Sequence, residues 1–374
     1  MKICYIAGGM SIHTQRWINY FAQRGHEVHL ISYWFRTNYD GFDTRVQIHR
    51  LVVLLPGAWK VSRYFSGSLW PFQVRRMVNK IKPDILHSHY VTTYGYLGAI
   101  SGFHPLILSA WGTDVLICPK QSRIHRSLTA YSLKKADLVT CDGENTKEEM
   151  IKSGINTEKI RLIYHGVDTQ KFNPQKREQE PRNDLGLFES PTIISVRMLK
   201  PLYDVESLVK AMPLIIKQVP ETKLIIAGEG EQRDYLENLA GSLGISSAIR
   251  FVGQIAHDEL PKYLASADVY VSTSLSDGGI AVSTLEAMAS GLPVVVTDCG
   301  DIKKWITDGQ NGFIVPVKAP EAIAAKVIYL LETEDTRMKF GRLAREVVEN
   351  KADYEKEMLK VEKLYQQLID GGEK

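Results

Sequence analysis

Four cysteines in 374 residues, Cys4, Cys118, Cys141 and Cys299, lie far apart with no paired spacing. That excludes a disulfide framework and a sequence-readable zinc site, and suits a reducing compartment. No Asp-x-Asp lies beside an expected strand end and the histidines lack ligand spacing, so no metal cofactor is indicated. Long apolar runs are also missing: the closest to the ~18 residues of a spanning helix is Gly95 to Trp111, which His104-Pro105 interrupts. The opening residues have no basic leader and no cleavage-site pattern, and read as a strand rather than a signal peptide. These absences predict a cytoplasmic chain, at most peripheral at the inner face of a membrane.

What is present is an ordinary globular composition, 44% hydrophobic and 24% charged, long enough for two domains. The net charge of +3 hides an asymmetry. Residues 1–170 hold 21 Lys and Arg against 12 Asp and Glu, a surplus of 21 − 12 = +9, so the remainder carries −6. Nine of the ten histidines also fall in the first part. Uneven surface charge and a functional basic face both fit.

Short buried strands alternate with helices along the chain. Lys2–Ala7 enters the Gly8-Gly9 turn, and His13–Arg24 follows with Trp17, Ile18 and Phe21 at helical spacing. The pattern repeats, pauses in a polar, proline-bounded stretch, and restarts at Thr192–Val196. It predicts parallel sheets covered on both faces. The expected division is a first α/β domain over 1–170, a linker over 171–190, a second α/β domain over 191–350, and a helical tail over 351–374 that packs back on the first domain. Two such α/β units facing across a cleft would bind ligands at the carboxyl ends of their strands.

The most informative run is Ser274 to Pro293, SLSDGGIAVSTLEAMASGLP. Gly278-Gly279 permits a chain reversal and a close ligand approach. The helix that follows starts near Ala281–Ser283 and turns its first amides toward that approach, a natural seat for a diphosphate. Glu286, about one turn in, can accept hydrogen bonds from vicinal hydroxyls such as those of ribose. A plain strand-to-helix turn with a solvated Glu286 fits the local physics equally.

The run resembles the signature helix of the retaining, GT-B fold glycosyltransferases of group 1, the glycogen-synthase-like type of glycosyltransferase family 4. Further matches are Ala136-Asp137-Leu138-Val139, Tyr164-His165-Gly166-Val167-Asp168, Ile226-Ala227-Gly228-Glu229-Gly230, Phe251-Val252-Gly253 and Asp308-Gly309-Gln310-Asn311-Gly312-Phe313. The resemblance implies two Rossmann-like domains, 1–170 on the acceptor side and 191–350 binding the nucleotide sugar, and metal-independent transfer of a hexosyl group, with retention, from a nucleotide-diphosphate sugar to a saccharide or lipid-linked acceptor. The nucleotide sugar is a substrate, and no cofactor is implied.

Three departures bear on the site. The second family glutamate maps onto Glu286, but Gly278 stands eight positions earlier, which leaves Asp277 as the candidate for the missing carboxylate. The diphosphate-neutralising cations map to Arg197 and Lys200, shifted, with Tyr203 near the expected Lys. A histidine frequent in the first domain is Trp111, which moves attention to Asp114, His89 and His13.

The expected catalytic residues are therefore Asp114, His89, Glu286 and Asp277. Donor contacts are expected from Gly8, Gly9, Arg197, Lys200, Gly228, Gly253, Gly278, Gly279, Ile280, Ala281, Val282 and Glu286, and acceptor-side contacts from His13, Trp111 and Asp114. A departing nucleoside diphosphate accumulates negative charge, which cations and helix N-termini stabilise. Residues 56–82 mix Lys and Arg with bulky aromatics and contain no acid. That suits peripheral contact with an anionic bilayer, and also an amphipathic helix packed into its own domain. No nucleic-acid module accompanies it. The alternatives are a nucleotide-sugar epimerase on the same fold and an inactive nucleotide-sugar-binding subunit. A dehydrogenase is disfavoured, because Arg233 occupies the third glycine position after Gly228-Glu229-Gly230.

Overall fold

The computed structural model describes residues 1–32, 41–52, 69–176 and 190–371. The chain divides into two compact units, Met1–Tyr164 with Glu357–Lys374, and His165–Lys356.

The first unit alternates β1 (Lys2–Ile6), α1 (Ile12–Gln23), β2 (Glu27–Ser32), β3 (Gln47–Arg50), α2 (Trp70–Ile81), β4 (Ile85–His89), α3 (Tyr94–Ser101) and β5 (Leu106–Ala110). After two single-turn helices come α4 (Arg123–Lys135), β6 (Leu138–Cys141), α5 (Glu144–Lys152) and β7 (Ile160–Leu162). The seven strands are parallel in the order β3-β2-β1-β4-β5-β6-β7. The direction of strand addition reverses between β1 and β4, which makes their carboxyl ends the switch point of the sheet. The central strands are buried along their length, as a sheet covered on both faces requires.

The second unit repeats the scheme with β8 (Thr192–Val196), α6 (Val205–Gln218), β9 (Lys223–Ala227), α7 (Arg233–Ser242), β10 (Ile249–Gly253), α8 (Leu260–Ser266), β11 (Val269–Ser272), α9 (Val282–Ala289), β12 (Val294–Thr297) and β13 (Gly312–Val315). Its six parallel strands run β10-β9-β8-β11-β12-β13, so its switch point lies between β8 and β11. The core gathers Ile193, Leu208, Met212, Leu224 and Val295 under α6 and α10 (Pro320–Glu332).

Two helices close the chain, α11 (Glu334–Lys351) and α12 (Tyr354–Gly371). Tyr365 of α12 is buried in the first unit, where it stacks on Phe21 and lies 3.0 Å from the Tyr5 hydroxyl and 2.5 Å from His87 Nδ1. The expected linker, 171–190, lies only partly within the described residues. Residues 165–176 belong to the second unit, where Val167 and Phe172 are buried and Val167 bridges to Asp353. Residues 177–189 lie outside the described residues.

Candidate active site

In the second unit, the strand ends at the switch point carry the expected charged groups. β8 ends at Val196 and is followed by Arg197; β11 ends at Ser272 and runs into the loop that carries Asp277. Arg197 donates from Nη2 to Asp277 Oδ1 at 2.8 Å. Its guanidinium lies over the Tyr203 ring, 4.3 Å from the centroid. Burial disfavours the charge, but Asp277, with the Tyr270 and Tyr203 phenols, outweighs it and raises the Arg197 pKa. Arg197 is thus a cation held in place by a carboxylate and an aromatic face. Lys200 is exposed.

The loop beyond Asp277 is set from behind. Asp301 donates its backbone N–H to the Gly279 carbonyl at 3.2 Å. Gly300 has φ +59°, and a Cβ there would overlap the carbonyls of Gly279 and Asp277. Helix α9 then begins at Val282, with Ala281 as an extended N-cap that makes no side-chain cap. No acidic residue occupies the first turn. The leading amides of α9 therefore keep the partial positive charge of an uncapped helix start.

Glu286 lies one turn further on and is almost fully buried. It accepts a hydrogen bond from His257 Nε2 at 3.1 Å. Lys171 donates to the other ring nitrogen of His257 at 2.9 Å, which fixes the tautomer that donates to Glu286. Phe172 packs edge-on against the same imidazole. The sequence reading did not single out His257, although it is the one histidine beyond residue 170. A small cavity between the Gly278-Gly279 loop and β12 is lined by Asp277, Gly279, Ile280, Ala281, Thr284 and Cys299.

Gly228 and Gly230 serve close backbone packing. A Cβ at Gly228 would overlap the Arg197 carbonyl, and one at Gly230 the Leu199 carbonyl. Their bareness lets the chain after β9 lie against the Arg197–Leu199 loop, so both glycines position that loop. Gly253 has φ +70° and its carbonyl accepts from Gly228 N–H at 2.7 Å.

In the first unit the expected residues form a group at the ends of β1, β4 and β5. His87 and His89 point to one face of β4, their ring centroids 4.8 Å apart, as strand alternation requires. Burial pushes the His87 imidazole down to about 3, so it is neutral. His89 lies 3.2 Å from Thr14 Oγ1 and against the Trp111 ring, which His13 meets edge-on. Asp114 is fully buried, and its two oxygens accept from the Val91 and Trp111 backbone N–H groups at 2.7 and 3.0 Å. Burial raises its pKa to about 7. Gly8 lies under the Tyr94 hydroxyl, and Gly9 N–H points to Ser32 Oγ at 3.4 Å. Among the described residues no three His, Cys, Asp or Glu side chains converge as metal ligands would.

Comparison with known proteins decides the family. Residues 2–143 match the glycosyl transferase 4-like model, and residues 177–347 match the model of glycosyl transferases group 1. The chain belongs to the group 1 glycosyltransferases. An uncharacterized glycosyltransferase of Methanocaldococcus jannaschii is 29% identical to it over 339 residues, 85% of this chain and 84% of that protein. Sucrose-phosphate synthase from Thermosynechococcus elongatus superposes on this glycosyltransferase with a TM-score of 0.84 at 20% identity, covering 99% and 100% of the two chains. Anabaena HepE, solved in complex with UDP-glucose, gives 0.81 at 18% identity over 98% and 100%. These likenesses establish the GT-B fold. No described helix of this glycosyltransferase is long and apolar enough to cross a membrane.

Proposed function

We propose that this group 1 glycosyltransferase moves a hexosyl group from a nucleotide-diphosphate sugar to an acceptor hydroxyl, with retention and without a metal. The observation that carries the reading is the grouping at one switch point of Arg197, the uncapped start of α9 and the buried Glu286. Arg197 and the α9 amides supply positive charge where a leaving diphosphate develops negative charge. Glu286, oriented by His257, accepts from the ribose hydroxyls. The solved complex of Anabaena HepE with UDP-glucose supports a nucleotide sugar as the donor class. Retention rests on the family resemblance. Asp114, His89, His13 and Trp111 form the acceptor-side group, with a saccharide or lipid-linked acceptor.

The test is product analysis of the full chain with a panel of nucleotide sugars and acceptors, with and without a chelator. A new glycoside of retained anomeric configuration, formed equally in the chelator, supports the reading. A donor isomerised without any acceptor would replace it with the epimerase, and donor binding without turnover would replace it with a binding subunit.

A further inference from the structure

One layer of the first unit carries a pattern that the candidate site does not use. Between Asp43 and Asp137 the sequence has thirteen Lys and Arg but two acids, Asp84 and Asp114. Asp114 is fully buried, so it offers the surface no charge. Right-handed crossovers place α2, α3 and α4 on the same face of the sheet. Val74, Leu97 and Leu133, one from each helix, share a single apolar cluster, and α3 packs against both neighbours. The outer sides of α2 and α4 therefore belong to one surface.

On that surface Phe72 of α2 is 76% exposed and Ile124 of α4 is 71% exposed. Arg75 and Arg76 lie one helical turn beyond the first, and Arg123 and Arg126 stand before and after the second, all four exposed. Among the described residues none of these arginines is held in an ion pair. Protruding apolar side chains with uncompensated cations near them fit a partner with two phases, an anionic one over an apolar one. A bilayer with acidic headgroups offers both: phosphates for the arginines and the acyl boundary for Phe72 and Ile124. A nucleic acid would satisfy the arginines, but an aliphatic Ile124 gives no stacking platform.

We propose that the outer face of α2 and α4 docks on an anionic lipid bilayer. The surface overlaps residues 56–82 of the sequence reading only at α2. Residues 56–68 lie outside the described residues, and the α4 half was not foreseen.

The test is flotation of the full chain with phosphatidylcholine vesicles, with and without phosphatidylglycerol, beside a competition with single-stranded RNA. Binding is expected only with phosphatidylglycerol and should weaken as salt rises. Each basic residue at an anionic surface strengthens binding roughly fivefold, so R75E/R76E/R123E/R126E should lower the partition coefficient by about a hundredfold or more. F72S/I124S should weaken it while leaving the melting temperature unchanged, since both side chains are already in solvent. Equal binding to neutral vesicles, no binding to acidic ones, or an unaffected arginine variant would overturn the proposal. Displacement from vesicles by RNA would overturn it in favour of a nucleic-acid surface. Nucleotide binding, read separately, tests the donor site and not this face.

Discussion

Arg197 and Asp277 are joined by a 2.8 Å ion pair across the switch point of the second sheet, 80 residues apart in sequence. Asp277 neutralises the cation assigned to the donor diphosphate, and so competes with that ligand. D277N should therefore loosen the unliganded protein and tighten its hold on a nucleoside diphosphate. Leaving the largely buried guanidinium without its carboxylate should cost about 2 kcal/mol, less than a fully buried pair because Asp277 is partly exposed. Thermal melts with and without UDP or GDP check this. The variant should melt lower than wild type alone and gain more from the ligand.

Tyr203 stands where the family resemblance leads one to expect a lysine, and its ring underlies Arg197. Y203F should preserve nucleotide affinity. Y203L should weaken it by about 1 kcal/mol, the usual worth of a partly desolvated cation–π contact. Calorimetric titration of the two variants separates the ring from its hydroxyl.

The glycines after β9 test how the Arg197 loop is held. G230A would set a methyl against the Leu199 backbone, which cannot give way as a flexible side chain would. The expected result is a loss of roughly 3 kcal/mol or more in chemical denaturation, together with weaker nucleotide binding. G244A makes a useful control: that glycine has φ +71° but nothing near its missing Cβ, so only its conformational strain is read.

Asp114 gives the first unit a pH dependence whose sign is fixed by burial. Its folded-state pKa is raised from 3.8 to about 7, so the native state favours the protonated acid. That contribution is fully present below pH 3.8 and is lost as pH rises through 7. Summed over the window it reaches roughly 4 kcal/mol, an upper figure because desolvation is partly relieved by relaxation. D114N should flatten the fall in melting temperature across this range. It should also melt lower at acid pH, because one of the two backbone N–H groups that Asp114 receives then faces an amide NH2. A wild-type slope retained in D114N would assign the titration to another group.

The fold was legible because its signals are local. Runs such as Leu106–Ala110 and Val294–Thr297 are apolar but for Ser109 and Thr297, glycine turns punctuate them, and buried parallel strands require that composition. Glu286 and Arg197 were legible from their motifs. What joins them to other groups was not: His257 reaches Glu286 across 29 positions, and Asp277 reaches Arg197 across 80. No periodicity reports such pairings. Gly228 shows the converse difficulty. A glycine needed for backbone packing and a glycine needed for a ligand are identical in sequence, and it is the Arg197 carbonyl beside Gly228 that reveals its packing role. The α4 face escaped notice because no motif marks Ile124 and Tyr131, and their exposure is a property of the folded chain alone.

The most direct measurement is equilibrium titration of UDP, GDP and ADP into the full chain, R197A and E286A, each beside the matching 2′-deoxy nucleotide. Wild type should bind at least one nucleotide and favour the ribose form. E286A should lose that ribose preference, and R197A should lose affinity about tenfold or more, in proportion to a charge-assisted contact of ~1.5–3 kcal/mol. If no nucleotide binds, or if both variants bind with wild-type affinity and selectivity, the switch point of the second sheet is not the donor site.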